Sequence, residues 1–388
     1  MMYTNIWYVA ERQENLKNTP LPVRMLGRDF VLFRDQDGNA ACLSNVCPHR
    51  GASLAQGQCR DEGGVACPFH AWHFDRDGNC TKIPSQKDPT GDIPPEAKID
   101  AYPTQEKYGY IWVFLGDDLD AATPIFDMPE YDNPEWRAVT HSVVFNANQH
   151  WTKMADMDHV HLPIVHGIGF GGENPIRPPD HTVVYRDDGG YEVEIRGKPD
   201  ITKGEWKKLR SDRTEVTSKL KYFIPGFTSR GKTLIGGPGS GHYNCWYQMM
   251  TPIDDETTQL HFTFHRSFMT EPENDAEHLK RNLRNVYQDK DIAEAIMPKR
   301  TPDVADWPPV RAELEDKMMD AYWQVLQQFR AKGWQIDRVQ MEALDLRGEY
   351  RVIPSPARKQ NPNDWVFDVV PRIAPGQSAG KPKQSEAA

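Results

Sequence analysis

Two short stretches in the first hundred residues each offer a thiol and an imidazole. They are Cys47-Pro48-His49-Arg50-Gly51 and, separated from His49 by seventeen residues, Cys67-Pro68-Phe69-His70-Ala71-Trp72. Thiolate sulfur serves zinc and iron–sulfur clusters alike, and placing two imidazoles on one iron lifts a cluster potential to about −150 to +300 mV. A set of two cysteines and two histidines also fits a structural zinc, which small β modules often need. Zinc fingers pair Cys with Cys and His with His, whereas here each loop holds one of each. The pairing therefore differs from a zinc finger's, and the donor set alone leaves both an iron–sulfur centre and a zinc site open. Five of the six cysteines (Cys42, Cys47, Cys59, Cys67, Cys80, but not Cys245) fall in this region. In a reducing compartment they are expected as thiols or ligands rather than disulfides. Cys42, Cys59, Cys80 and His73 lie outside the two loops and are expected to pack or to sit on the surface.

A second group follows at Asp156-Met157-Asp158-His159-Val160-His161-Leu162-Pro163-Ile164-Val165-His166. On a helix or its frayed end, residues three to five apart share a face, so Asp158, His161 and His166 can converge while His159 points elsewhere. Far along the chain, Leu279, Leu283, Val286, Asp289, Ala293 and Ile296 form one stripe of a helix expected over Asp275–Met297. Asp289 interrupts that stripe. A carboxylate facing inward needs an arginine, a cap contact or a metal. Two histidines and one carboxylate are the donor set of a non-haem Fe(II) site with positions left open for O2 and water.

The elements that must position these groups read as two domains, as 388 residues also suggest. From Leu21 to about Gly116 the chain alternates in short strands, with hairpin signals at Asp37-Gly38 and Asp77-Gly78. Residues 116–136 gain Asp and Pro and read as a linker. Beyond it the reading is α+β with an antiparallel sheet. A helix is expected over Gln149–Val165, a hairpin joins Thr182–Arg186 to Tyr191–Arg196, and strands are expected at Lys219–Ile224, Tyr243–Met250 and Leu260–Phe264. A Gly-rich loop spans Gly236–Gly241, and a second late helix spans Val310–Lys332. The expected boundaries are 1–118, 119–375 and a disordered tail over 376–388. A net charge of −10 excludes a nucleic-acid or anionic-membrane partner. No run of eighteen apolar residues spans a bilayer, and Met1–Trp7 shows no export signal, so the cytoplasm is the expected compartment.

The two loops resemble the Rieske signature, and Asp158-x-x-His161-x-x-x-x-His166 with Gln288-Asp289-Lys290-Asp291 and Glu294 resembles the iron-site helices of Rieske non-haem iron oxygenase catalytic (α) subunits. The likeness is to the α-only ring-hydroxylating or demethylating type and covers most of the chain. It implies an N-terminal all-β Rieske domain, then a helix-grip-like catalytic domain of antiparallel sheet and helices. It implies a [2Fe–2S] cluster with Cys47 and Cys67 on one iron and His49 and His70 on the outer one. Mononuclear Fe(II) would sit on His161, His166 and Asp289, with Asp158 bridging His161 and the partner subunit's His70. The family's electrons come from an external reductase, directly or through a ferredoxin, and its subunits form rings, most often a homotrimer or a multiple of it. No Gly-x-Gly-x-x-Gly segment supplies a reductase within this chain.

The implied reaction is hydroxylation or oxidative demethylation of an aromatic or polycyclic small molecule. The alternative is ring cis-dihydroxylation of an aromatic acid. Ala71 stands where the family usually has Gly, Met154-Ala155 where it often has Glu-Asn, and Gln288 where Glu is frequent. Asp156 and Asp291 are the rival carboxylates. Ile164, Phe170, Tyr222, Phe223, Phe227, Trp246, Arg177, Arg186 and Arg196 are candidates for the pocket wall. A Rieske electron carrier would need only the first donor set, and a zinc-stapled binding protein would need neither iron site.

Overall fold

The computed structural model describes residues 1–168, 176–177, 181–197, 216–235, 241–302, 310 and 312–377. The chain divides into two compact units. The first is Met1–Pro124 with Pro252–Asp255 and Gln328–Ala388; the second is Ile125–Thr251 with Glu256–Gln327.

The first unit holds strands β1 (Ile6–Arg12), β2 (Leu21–Met25), β3 (Arg28–Arg34), β4 (Ala40–Ser44), β5 (Gln58–Cys59), β6 (Val65–Ala66), β7 (His73–Phe74), β8 (Cys80–Lys82), β9 (Ala101–Tyr102), β10 (Thr104–Lys107) and β11 (Tyr110–Leu115). They form three antiparallel sheets in the orders β1-β11-β10, β2-β3-β4-β9 and β5-β6-β7-β8. β11 is flanked on both sides and is buried along its whole length, which is why Tyr-Ile-Trp-Val-Phe-Leu does not alternate. Both Asp-Gly turns are present, with Gly38 and Gly78 at φ 81° and 82°. A β-carbon on Gly78 would come within 2.0 Å of the Ile99 carbonyl oxygen, so only glycine closes this turn.

Sequence boundaries placed 119–375 in a single domain, whereas the stretch from Gln328 onward belongs to the first unit. Specific polar contacts tie it there. Asp100 accepts from Ser355 Oγ at 2.7 Å and Arg358 Nε at 2.6 Å, Arg372 forks onto Asp117 at 2.8 Å, and Tyr102 donates to the Ile353 carbonyl at 2.7 Å. Nothing in the hydrophobic period of this stretch announces its partners. Of the expected tail 376–388, residues 378–388 lie outside the described residues, as does the 236–240 part of the Gly-rich loop.

The second unit is a seven-stranded sheet. Its strands are β12 (Arg137–Phe145), β13 (Val183–Tyr185), β14 (Tyr191–Gly197), β15 (Val216–Phe223), β16 (Thr228–Ile235), β17 (His242–Pro252) and β18 (Thr258–Arg266), in the order β12-β18-β17-β16-β15-β14-β13. β12 runs antiparallel to β18, and the strands from β13 to β17 pair antiparallel in series. Its helices are α1 (Gln149–Met157), α2 (Asp275–Ala295) and α3 (Glu313–Ala331), the last running on into the first unit from Gln328. α2 is pinned to β12 at both ends. Asp275 meets Arg137 at 2.6 Å at the start of the strand, while Lys290 reaches the Val144 carbonyl at 2.7 Å and Glu294 takes the Asn146 N–H at 2.7 Å at its exit. Among the described residues no helix is long and apolar enough to cross a membrane.

Candidate metal centres

The two Cys–His loops share one design. Cys47 N–H donates to the Ala52 carbonyl and Gly51 N–H returns to the Cys47 carbonyl, both at 2.9 Å. Cys67 N–H donates to Trp72 at 2.9 Å, and Ala71 N–H returns to Cys67 at 3.0 Å. The residue closing each turn is left-handed, Gly51 at φ 70° and Ala71 at φ 54°. Glycine adopts this conformation freely, whereas alanine there costs about 1–2 kcal/mol. The exchange of Gly for Ala therefore keeps the hydrogen bonds of the turn and adds strain beside a donor.

Cys47 and Cys67 are 1% and 4% exposed and belong to the core of the first unit, packed with Val31, Phe33, Leu43, Val65 and Phe74. The imidazoles lie outside them. His49 is exposed and His70 half-buried. Their rings stand 4.6 Å apart, His49 stacks on Trp72 at 4.6 Å, and Phe69 stacks on His70 at 4.0 Å. Burial, with Cys67 alongside, pushes the Cys47 thiol up to about 12. A thiolate at this place therefore asks for a positive centre among the four donors, and two inner thiols with two outer imidazoles fit a mixed-ligand cluster. Cys42 and Cys80 are buried, Cys59 is half-buried, and His73 Nδ1 lies 3.4 Å from Glu62.

The second site departs from the expected helix. α1 ends at Met157, where the Asp158 N–H donates to Met154 at 2.9 Å, rather than continuing to Val165. Leu162–His166 then winds as a π turn closed by Gly167 in the left-handed region. Pro163 lacks an N–H and cannot propagate an α-helix through this stretch. Widening the turn is what lets residues five apart face one point, and the His161 and His166 rings stand 5.1 Å apart at 79°. Asp289 comes to the same point from α2, on the stripe it shares with the buried Val286 and Ala293. Its Oδ1 lies 3.6 Å from His161 Nε2 and 3.0 Å from His166 Nε2, and one donor atom from each of the three lies within 4.8 Å of the others. Donors so spaced can share one ion at about 2.0–2.2 Å each. Among the described residues the partners of the inward carboxylate are thus imidazoles, and not an arginine or a helix cap.

Asp158 holds its place by a different atom from the one the resemblance implies. His161 Nδ1–H donates to the main-chain carbonyl of Asp158. The Asp158 carboxylate lies 3.8 Å from that nitrogen and accepts from the Val160 N–H at 2.7 Å. His166 Nδ1 meets the Gln288 side-chain oxygen at 2.9 Å, a contact not anticipated from the sequence although Gln288 adjoins Asp289. Burial alone would lower His166, but Asp289 and Gln288 raise it above the ordinary value.

The rival carboxylates lie elsewhere. Asp156 is paired with Lys153 at 3.1 Å, and that wholly buried lysine also reaches Ser229 Oγ at 2.6 Å; Asp291 is exposed. His159 turns toward His181, 6.3 Å away, and burial pushes it down to about 3. Of the pocket candidates, Tyr222 and Phe227 are core residues packed on Tyr322, and Phe223 stacks on Phe126 with Arg186 over its other face. Trp246 lies flat over β16, where a β-carbon on Gly231 would come within 2.4 Å of the indole. Phe170 and the side chain of Arg196 lie outside the described residues.

The sequence matches the Rieske [2Fe-2S] domain over residues 6–103 and the vanillate O-demethylase oxygenase C-terminal domain over residues 150–328. The 4beta-methylsterol monooxygenase of Methylococcus capsulatus is 36% identical over 273 residues, 68% of this chain and 68% of that protein. The chain belongs to the Rieske non-haem iron oxygenases. The cofactors of such an oxygenase are a Rieske [2Fe–2S] cluster and a mononuclear iron, and the second domain match separates it from a lone electron carrier. The toluene-4-sulfonate monooxygenase iron-sulfur subunit of Comamonas testosteroni is 33% identical over 177 residues, 45% of this chain and 49% of that protein. The chain spans 22%, 34% and 49% of the lengths of three further curated relatives. Dicamba monooxygenase bound to dicamba shares the Rieske oxygenase fold, with a TM-score of 0.71 at 22% identity over 84% of this chain and 98% of that one.

Proposed function

We propose that this chain is a terminal oxygenase component. It takes electrons from a separate reductase or ferredoxin and uses O2 to hydroxylate or oxidatively demethylate an aromatic or polycyclic small molecule. The observation that carries the reading is the presence in one chain of two unlike donor sets, Cys47, Cys67, His49 and His70 in one unit and His161, His166 and Asp289 in the other. We assign the cluster to the first set and mononuclear Fe(II) to the second. When bound, the cluster supplies electrons singly and the iron supplies the site at which O2 is activated.

The chain's own residues do the positioning. The buried thiols keep water from the inner half of the cluster site, while the outer imidazoles lie where a redox partner has access. The Asp158 carbonyl and the Gln288 amide oxygen each hold a proton on Nδ1 of a histidine, leaving Nε2 to face Asp289. Asp158 keeps its side chain about one-third exposed, at 32%, and Phe69 beside His70 is 59% exposed. Both exposures support a ring of subunits, a homotrimer or a multiple of it, with Asp158 coupling the centres between neighbours. The relatives' names support the substrate class, since a methylsterol is polycyclic and toluene-4-sulfonate and dicamba are aromatic. A cytoplasmic role in the catabolism of such compounds belongs to the same proposal.

The deciding experiment is iron, zinc and acid-labile sulfide per chain on anaerobically purified protein, with an electron paramagnetic resonance spectrum after dithionite. About three irons and about two sulfides with a Rieske signal are expected. One zinc and no sulfide would overturn the reading.

A further inference from the structure

Consecutive residues of α2 address the two ring nitrogens of one histidine. Asp289 Oδ1 stands 3.0 Å from His166 Nε2, and Gln288 Oε1 stands 2.9 Å from His166 Nδ1. The His166 side chain is only 3% exposed, so no bulk water competes for either nitrogen. For Nε2 to offer a lone pair to a metal, the ring proton must reside on Nδ1, and it then requires an acceptor. The amide oxygen of Gln288 is that acceptor, and being neutral it holds the proton without drawing it away. His161 is served in the same way by the main-chain carbonyl of Asp158, so neither histidine leans directly on a carboxylate through Nδ1. Asp289 is the carboxylate that faces Nε2 of both rings, while the Asp158 carboxylate stands 3.8 Å from His161 Nδ1.

We propose that Gln288 is the positioning residue that fixes the tautomer and ring orientation of His166 for iron. The proposal rests on the assignment of His161, His166 and Asp289 to the iron. It also explains why an amide can stand beside Asp289 on a half-buried helix face: the amide is committed to an imidazole.

The test is equilibrium Fe(II) titration of iron-depleted, cluster-loaded full-length protein, comparing wild type with Gln288→Leu, Gln288→Glu and Asp289→Ala. Removing an outer partner of a metal-bound histidine typically weakens metal affinity about 10–100-fold. Gln288→Leu is expected to weaken Fe(II) binding by about that factor with the cluster absorbance and melting temperature unchanged. Gln288→Glu, which restores an acceptor of the same reach, is expected to retain wild-type affinity or exceed it. Wild-type affinity in Gln288→Leu would overturn the proposal. Equal losses in Gln288→Leu and Gln288→Glu would overturn it too, because packing rather than an acceptor would then be what matters. Full iron binding by Asp289→Ala is the separate failure, and it would sink the site assignment itself.

Discussion

The two metal sites are embedded in their folds in opposite ways. In the first unit Cys47 and Cys67 lie in the hydrophobic core, so under the proposed assignment the same atoms serve packing and ligation. In the second, the donors stand on a π turn and a helix whose anchoring is independent of them, through Asp275 to Arg137 and through Lys290 and Glu294 to the exit of β12. One site is part of what holds its unit together, whereas the other is mounted on a scaffold that stands without it. Losing the metal should therefore unfold in one case and merely disarm in the other.

The largest expected effect tests the first half of that contrast. Cys67→Ser should abolish the cluster spectrum and destabilise the first unit by several kcal/mol, on the order of the folding energy a structural metal contributes; a soluble variant with wild-type melting would break the contrast. Asp289→Ala should remove the mononuclear iron and all turnover while shifting unfolding by less than ~1 kcal/mol, read by metal analysis beside calorimetry. Asp158→Asn sharpens the picture within the second site. Because His161 leans on the main-chain carbonyl, which this substitution leaves in place, both metals should stay at full occupancy while product formation falls by at least ~10–100-fold. Acid should also act through the second unit. His265 and His278 are buried there, and burial pushes both down to about 4. The unfolded chain binds these protons below about pH 6.5 and the folded one only near 4, so stability present above pH 6.5 is lost as pH falls from 6.5 to 4. The loss is at most ~3 kcal/mol per histidine, and replacing His265 with Asn should flatten the melting-temperature slope in that window. The smallest effect is in the cluster loop, where Ala71→Gly should stabilise the first unit by about 0.5–1 kcal/mol by relieving the left-handed strain.

The same contrast governs what could be read from the sequence. The cluster loops are local: donors two and three residues apart within turns of Pro and small residues carry their meaning in the spacing itself. The proposed iron site joins residues 123 apart, between His166 and Asp289, and only the interrupted stripe on α2 hinted at a distant partner. A helix through Val165 was expected because helical period alone cannot register the widening that Pro163 brings. β16 was not anticipated because Thr-Ser-Arg-Gly-Lys-Thr has almost no apolar pattern; its charged residues are used inside the fold, as Arg230 and Lys232 converge on the buried Glu130. Tyr222, Phe223 and Phe227 could be named only as candidates for the pocket, because aromatic residues near a site look alike in sequence whether they line a cavity or fill a core.

The return of the last stretch to the first unit has a consequence for synthesis. During translation, domains generally fold in order from the N-terminus. Here Asp100, Tyr102, Asp117 and Thr4 emerge early but must wait for Arg358, Ile353, Arg372 and Trp334, made more than two hundred residues later. The β module that carries the two Cys–His loops is thus made before the second unit and closed only after it.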